Sequence, residues 1–372
     1  MKITKLELLM VQPRWMFLKM HTDAGIVGLG EPIVEGHTHA VAAAIRSYEE
    51  YLIGKDPRRI EHHWQALYRG GFYRGGPVLT SAISGIEQAM WDILGKSLNA
   101  PVYQLLGGLV RDRVKLYAHV GGQDNAALVA NAKALVSQGY RALKTGFEPP
   151  VRFLDTQAFL ETQTERFRVL REAVGSDVDL AVDFHGRFSP AMAKRMIQAL
   201  EPFYPLFVEE PCLPDNVDAM VDIARSTTVP LATGERLFTK WGFRELLEKQ
   251  AVAVVQPDLC HAGGILEGKK IAAMAECYYA SIAPHNPLGP ISLAAALQLD
   301  ACTHNVLMQE QVTLGEGYIT EPFVLEDGYT VIRDKPGLGI ELDEAAMQEL
   351  QYDGRWQTPR VWDPDDGSVL EW

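Results

Sequence analysis

From about residue 114 onward the hydrophobic and polar positions repeat one unit: a short apolar or β-branched run, a polar or glycine-containing end, then apolar residues every three or four positions. The runs are VKLYAHVGG, YRALKTGF, VDLAVDFHG, YPLFVEEP, VPLATGER, VAVVQPDLCHAGG, ASIAPHNP and NVLMQE, with helical stretches such as PAMAKRMIQALEPF and EGKKIAAMAECY between them. Eight strands alternating with helices predict an α/β fold, a parallel (β/α) barrel over residues 114–320. Residues 1–113 follow another pattern. KITKLELLMV and WMFLKMHTDAGIVGLGE alternate as strands around an Asp-Ala-Gly turn, and long helical patterns such as TSAISGIEQAMWDILGKSL follow, which predicts an α+β capping domain. The segment 321–372, with DGYTVIRDKPGLGIELDE, is too polar for another barrel helix and is expected to return to the capping domain.

Composition narrows the partners. A chain of 372 residues, 47% hydrophobic and 22% charged, is ordinary globular protein. No apolar core of signal-peptide length precedes Pro13, and no run approaches the roughly 18 apolar residues of a membrane span, so a soluble, cytoplasmic protein is expected. Cys212, Cys260, Cys277 and Cys302 show no CxxC spacing and read as buried thiols, not as a disulfide framework or a zinc site. A net charge of −13 argues against nucleic acid and anionic membranes as partners. A small anionic substrate remains open, because a bound divalent cation reverses the local field.

In a (β/α) barrel the chemistry sits at the C-terminal ends of the strands. Those ends carry Lys144, Asp183 with His185, Glu209 with Glu210, Glu235, Asp258, His285 and Glu310. Asp183 and His185 are two apart and would share a strand face. Intervals of 26 residues separate Asp183 from Glu209 and Glu209 from Glu235, placing three carboxylates on adjacent strands. Such anions raise one another's pKa unless a cation lies among them, and an all-oxygen site suits magnesium. The rival reading is a ring of salt bridges with residues such as Arg236, and spacing does not choose between Glu209 and Glu210. Asp258 and His285 end the next two strands, where a carboxylate on one ring nitrogen would orient the imidazole as a base. His185 stands across the mouth, and two imidazoles facing one cavity could serve as a base and an acid. His62, His63, His261 and His304 are assigned to structure, and GLGEP and LLGGLVRD lack the order of a phosphate loop. The glycines of GGFYRGGP (70–77) and VEGHTHA (34–40) are those of loops that could close over the mouth, which makes Tyr73 and Arg74 candidates for substrate binding.

Together with PRWMFLK, GFYRGGP, GGLVRD, VDFHGR, QPDL, HAGGI, APH, PLGPI, QEQ, KPGLG and SVLEW, these strand ends resemble the enolase superfamily, specifically its mandelate racemase subgroup, over essentially the whole chain. The resemblance implies one Mg2+ per subunit, with Mn2+ as a substitute, on Asp183, Glu209 and Glu235. It makes His285 the base oriented by Asp258, His185 the acid, Glu310 a hydrogen-bonding group to the substrate carboxylate and Lys144 a substrate-binding residue. The implied reaction is dehydration of an aldonate, of galactonate type first and of gluconate or mannonate type as alternatives, to a 2-keto-3-deoxy acid by a homo-oligomer. Two departures bear on this. The second lysine of the subgroup's Lys-x-Lys is replaced by Gly146, and His185 stands where mandelate racemase has asparagine. Both favour dehydration over racemisation or epimerisation through the same enediolate. A catalytically silent sugar-acid binding protein is the reading from another class.

Overall fold

Alternating side chains at the N-terminus build an antiparallel sheet of β1 (Ile3–Val11), β2 (Trp15–Thr22) and β3 (Val27–Gly30) in a computed structural model that describes residues 1–372. Helices α1 (Thr38–Leu52), α2 (Ile60–Arg69), α3 (Gly76–Leu98) and the one-turn α4 (Val102–Leu105) complete the cap. Most of α3 is buried, polar residues included, because it lies against β2 and β3 on one side and reaches the barrel on the other. The approach to β3 is so close that a Cβ on Gly28 or Gly30 would come within 2.1 Å of the Ala89 carbonyl or 1.9 Å of the Gly85 carbonyl. GLGEP is therefore a packing motif that brings Glu31 to the barrel.

The barrel alternates β4 (Arg113–His119), α5 (Asn125–Ser137), β5 (Ala142–Gly146), α6 (Gln157–Val174), β6 (Asp179–Asp183), α7 (Pro190–Leu200), β7 (Val208–Glu209) and α8 (Val217–Ala224). It continues through β8 (Leu231–Thr233), α9 (Thr239–Glu248), β9 (Val254–Val255), α10 (Ile265–Cys277), β10 (Ser281–Ile282), α11 (Pro290–Ala301) and β11 (Gln309–Glu310). The side chains of Asp124, Thr156, Ser189 and Asn216 each accept a backbone N–H in the first turn of α5 to α8, which starts those helices at the expected strand-to-helix turns. The strands run parallel in the order β10-β9-β8-β7-β6-β5-β4-β11, and a parallel bridge between Ile282 and Val306 brings the approach to β11 back against β10.

Tyr117, Ala142, Ala181, Phe207, Ala232, Val254, Ala283 and Met308 pack together inside the ring as an apolar plug. Two residues further along seven of those eight strands, on the same face, stand His119, Lys144, Asp183, Glu209, Gln256, His285 and Glu310. The plug is thus the floor of a polar layer at the barrel mouth.

The C-terminal segment touches both parts of the molecule. β12 (Tyr329–Val331) pairs antiparallel with β4, Leu338 donates its N–H to Asp92 of α3 at 2.8 Å, and Gln351 bridges Val11. Two buried cap carboxylates hold barrel helices by their first turns. Glu87 accepts the N–H groups of Ile265 and Leu266 at 2.8 and 2.9 Å, and Glu31 those of Gly289 and Ser292 at 2.6 and 2.9 Å. Burial pushes both carboxyls up to about 8, against those hydrogen bonds. Cys212, Cys260 and Cys302 are buried as expected, whereas Cys277 is exposed on the outer face of α10. No helix is long and apolar enough to cross a membrane.

Candidate active site

Between cap and barrel mouth lies a cavity of about 470 Å3, lined by His119, Lys144, Asp183, His185, Glu235 and His285 from the barrel. Arg14, Val34 and Glu35 line it from the cap, and Thr358 and Trp372 from the C-terminal segment. Oxygens of Asp183, Glu209 and Glu235 all lie within 4.8 Å of one another. Asp183 and Glu209 are register partners on β6 and β7, which accounts for their proximity. The choice between the two glutamates of EEP is made by the backbone. Glu210 adopts φ 41°, and its carboxylate turns to Arg236, whose Nε donates to Oε1 at 2.9 Å.

The expected alternation of Asp183 and His185 is replaced by a turn. β6 ends at Asp183, His185 has φ 52°, and its backbone N–H donates to Asp183 Oδ1 at 2.8 Å. The ring still comes back to the same carboxylate, with Nε2 at 3.2 Å from Oδ2. Arg187, which can only donate, places Nη2 at 3.0 Å from Nδ1, so the ring hydrogen resides on Nε2. Asp183 favours a charged ring, but burial and then Arg187 outweigh it and bring the pKa down to about 4. The Trp372 ring stacks on His185 with centroids 5.8 Å apart.

Opposite, Asp258 Oδ2 accepts from Nδ1 of His285 at 2.8 Å while Oδ1 accepts the Cys260 N–H at 2.7 Å. His285 Nε2 faces the cavity, 3.1 Å from Glu235 Oε2. The Asp258–His285 pairing is therefore present as expected. His261, read as structural, also lines the cavity; its Nδ1 is 2.9 Å from Ser81 Oγ and its Nε2 3.7 Å from Asp258.

Lys144 occupies the centre of the acidic layer, with Nζ at 2.7 Å from Glu209, 2.8 Å from Glu310 and 3.5 Å from Asp183. The salt-bridge reading is thus met in part, by a lysine and by the Glu210–Arg236 pair. One lysine does not balance Asp183, Glu209, Glu235 and Glu310. Glu235 Oε2 is buried and makes no hydrogen bond, although His285 Nε2 lies 3.1 Å away, and burial, followed by the neighbouring Glu210, holds that carboxyl well above the usual range. An oxygen cluster with an excess of negative charge and an orphaned acceptor fits a divalent cation held by Asp183, Glu209 and Glu235.

Glu310, expected at the substrate carboxylate, is buried in the same layer, with His285 Nε2 4.0 Å from its Oε2. Lys144 and His119 contact its Oε1, and the Asn286 N–H donates to Oε2 at 2.8 Å. Burial opposes its ionisation, yet Lys144, then His285 and His119, hold the carboxyl well below the usual range. Tyr73 is 86% exposed and Arg74 lies over the Tyr68 ring; neither lines the cavity. Residues that strand-end reasoning missed are His119, Arg14 and Trp372. His119 carried a signal, as the last residue of the strand in VKLYAHVGG, whereas Arg14 and Trp372 reach the site only through the fold of the cap and tail.

Comparison with known proteins agrees with this architecture. "Mandelate racemase / muconate lactonizing enzyme, N-terminal domain" matches residues 9–107, and "Enolase C-terminal domain-like" matches residues 127–346. D-galactonate dehydratases of Cronobacter sakazakii and Ralstonia nicotianae are each 47% identical to the chain, with all of both chains covered. Among solved structures, an enolase from Agrobacterium radiobacter, named as a candidate galactarate dehydratase and bound to sodium and L-malate, is 33% identical with a TM-score of 0.93 over 100% of both chains. A candidate dehydratase from Mesorhizobium loti is 32% identical with a TM-score of 0.88, covering 95% of this chain and 99% of its own. The chain belongs to the enolase superfamily, in its mandelate racemase and muconate lactonizing enzyme branch.

Proposed function

We propose that the chain is a magnesium-dependent hydro-lyase that dehydrates D-galactonate to 2-keto-3-deoxy-D-galactonate. The observation that carries the reading is the pair of imidazoles on opposite walls of one cavity, His285 backed by Asp258 and His185 backed by Arg187, beside a triad of carboxylates. The full-length relatives named D-galactonate dehydratase support the substrate. With its Nδ1 proton held by Asp258, His285 presents the Nε2 lone pair and removes the proton at C2 of the acid. The C2–H electron pair forms the C2–C3 double bond as the C3–O bond breaks. The C3 hydroxyl takes the proton that His185 carries on Nε2 and leaves as water, and the ring regains a proton from solvent. The resulting enol tautomerises to the keto acid.

Asp183, Glu209 and Glu235 would hold the magnesium ion, which supplies neutralising charge to the substrate carboxylate. Lys144, wedged among Glu209, Glu310 and Asp183, holds fixed positive charge beside the same carboxylate. Absence of a lysine at Gly146 leaves no second base on that strand, which favours elimination over epimerisation. Incubating the protein with magnesium and a panel of aldonates in deuterated water tests the reading. Keto acid from D-galactonate is the expected product. Deuterium at C2 with epimer and no keto acid would make the chain an epimerase, and neither signal with any aldonate would make it a binder.

A further inference from the structure

The two imidazoles of the site are supported differently. The side chain of His285 is 13% exposed and rests on Asp258, whereas that of His185 is 31% exposed and follows the end of β6 on a turn with φ 52°. Two contacts hold the His185 ring in its own plane, Arg187 Nη2 at 3.0 Å from Nδ1 and Asp183 Oδ2 at 3.2 Å from Nε2. Contacts at the two nitrogens leave the ring free to tilt about the line that joins them. The group on its face is Trp372, whose indole stacks there at an interplanar angle of 26° with centroids 5.8 Å apart, within the range of offset aromatic pairs. A segment anchored on both cap and barrel carries the indole across the mouth. On the cap side, the Arg14 guanidinium lies over the Trp356 ring, 5.0 Å from its centroid. Further on, β13 (Val361–Trp362) pairs antiparallel with β14 (Val369–Leu370). Asp363, between these strands, accepts from Nε and Nη2 of Arg152 at 2.7 and 2.9 Å, and Arg152 belongs to the barrel loop between β5 and α6. A bidentate pair of this kind fixes direction as well as distance. The indole is 45% exposed and lines the cavity, so burial in a core does not account for its placement.

We propose that Trp372 is a positioning residue for the dehydration, holding the His185 imidazole at the tilt from which Nε2 delivers its proton to the C3 hydroxyl. The inference rests on the reading of His185 as the acid. The indole acts through the imidazole and not on the sugar, so its removal affects only a step in which the leaving group needs a proton. Abstraction of the C2 proton by His285 belongs to the opposite wall.

The test compares D-galactonate with its 3-fluoro analogue on the intact protein with magnesium present. Both give up the C2 proton to His285 and form the same C2–C3 double bond; the first loses water from C3 after protonation, the second loses fluoride as the anion. Trp372→Ala should slow single-turnover keto-acid formation from galactonate by about three- to tenfold, the worth of one aromatic stack, and leave the fluoro analogue within about twofold. Trp372→Phe, which keeps a ring on that face, should recover most of the loss. Dissociation constants for galactonate and L-malate, measured by calorimetry in the His285→Asn background where galactonate is not consumed, should stay within about twofold. An unchanged rate with galactonate in Trp372→Ala overturns the proposal. Equal loss on both substrates, or a matching loss of galactonate affinity, also overturns it, since the indole would then shape the cavity or touch the sugar. One readout needs no turnover. In histidine-labelled protein the imidazole resonances that vanish in His185→Asn should move in Trp372→Ala through loss of the indole ring current, while those that vanish in His285→Asn stay; His185 resonances that do not move overturn the contact. A wild-type protein that forms no keto acid removes the dehydratase reading, and a His185→Asn protein equally slow on both substrates removes the acid role, whereas the resonances still decide whether Trp372 holds this imidazole.

Discussion

Replacing Asp258 with asparagine asks whether the Asp258–His285 pair works by fixing a tautomer. In the structure Asp258 Oδ1 accepts the Cys260 N–H at 2.7 Å and Oδ2 faces His285 Nδ1 at 2.8 Å. Asparagine has one oxygen, and it stays on the Cys260 N–H, because turning the amide would set an NH2 group against a backbone donor. The amide nitrogen then faces Nδ1 and donates to it. His285 is left with its proton on Nε2, and the lone pair directed at the cavity is gone. Recovering the working tautomer requires the amide to flip and strand the buried Cys260 N–H, at about 1–3 kcal/mol. The imidazolium that forms when the base takes its proton also loses a charge-assisted hydrogen bond, about 1.5–3 kcal/mol more. Together these come to about 2.5–6 kcal/mol, or about two to four powers of ten in rate. Hydrogen–deuterium exchange at C2 of D-galactonate, followed by NMR in deuterated water alongside keto-acid release, reads the step directly. Both rates should fall together while malate affinity holds, since Asp258 is buried behind the ring and touches no ligand. Exchange within about threefold of wild type would falsify the tautomer argument.

Other perturbations address the remaining parts of the site. Glu235→Gln should lose magnesium affinity and turnover together, because it removes one of three anionic oxygens from a site with few protein bonds; full activity after exhaustive chelation would reject the triad as a metal site. His185→Asn should be slow with galactonate yet recover with a 3-fluoro analogue, whose leaving group needs no proton, and equal failure with both substrates would move the acid role elsewhere. The cap carboxylates predict a pH dependence of stability. Glu31 and Glu87 titrate at about 8 in the folded protein against 4.5 for a free glutamate. Between those values the folded protein retains protons that the unfolded chain has released, so stability falls as pH rises through that interval. A Glu31→Gln, Glu87→Gln protein should start from lower stability, for want of hydrogen bonds to α11 and α10, but should show a shallower fall in denaturation midpoint from pH 5 to pH 8. An unchanged slope would show that neither group titrates there.

What the chain's pattern revealed, and what it concealed, follows from one geometric fact. Side chains on a strand repeat with a period of two, so an inward plug residue fixes the face of the residue two positions on, and that much is local. Lys144, Asp183, Glu209, His285 and Glu310 were legible at the barrel mouth for this reason. His119 obeys the same rule after Tyr117, but the first strand was read for its β-pattern and not for its end. The rule stops where the strand stops. Asp183 and His185 meet as expected, yet through a turn with positive φ held by the Asp183 carboxylate, and the same kind of departure at Glu210 decides which glutamate joins the triad. Glu31 acts across 258 residues on Gly289, which no periodicity signals. Most telling is Glu310. Its strand and its face were read correctly, but whether it meets a ligand depends on what flanks it around the ring, and flanks are cross-strand relations. Lys144 and His119 contact one of its oxygens and the Asn286 N–H donates to the other, and none of these partners is signalled by the pattern of its own strand. A residue's direction is therefore inherited from its own strand, whereas its role is assigned by the strands on either side.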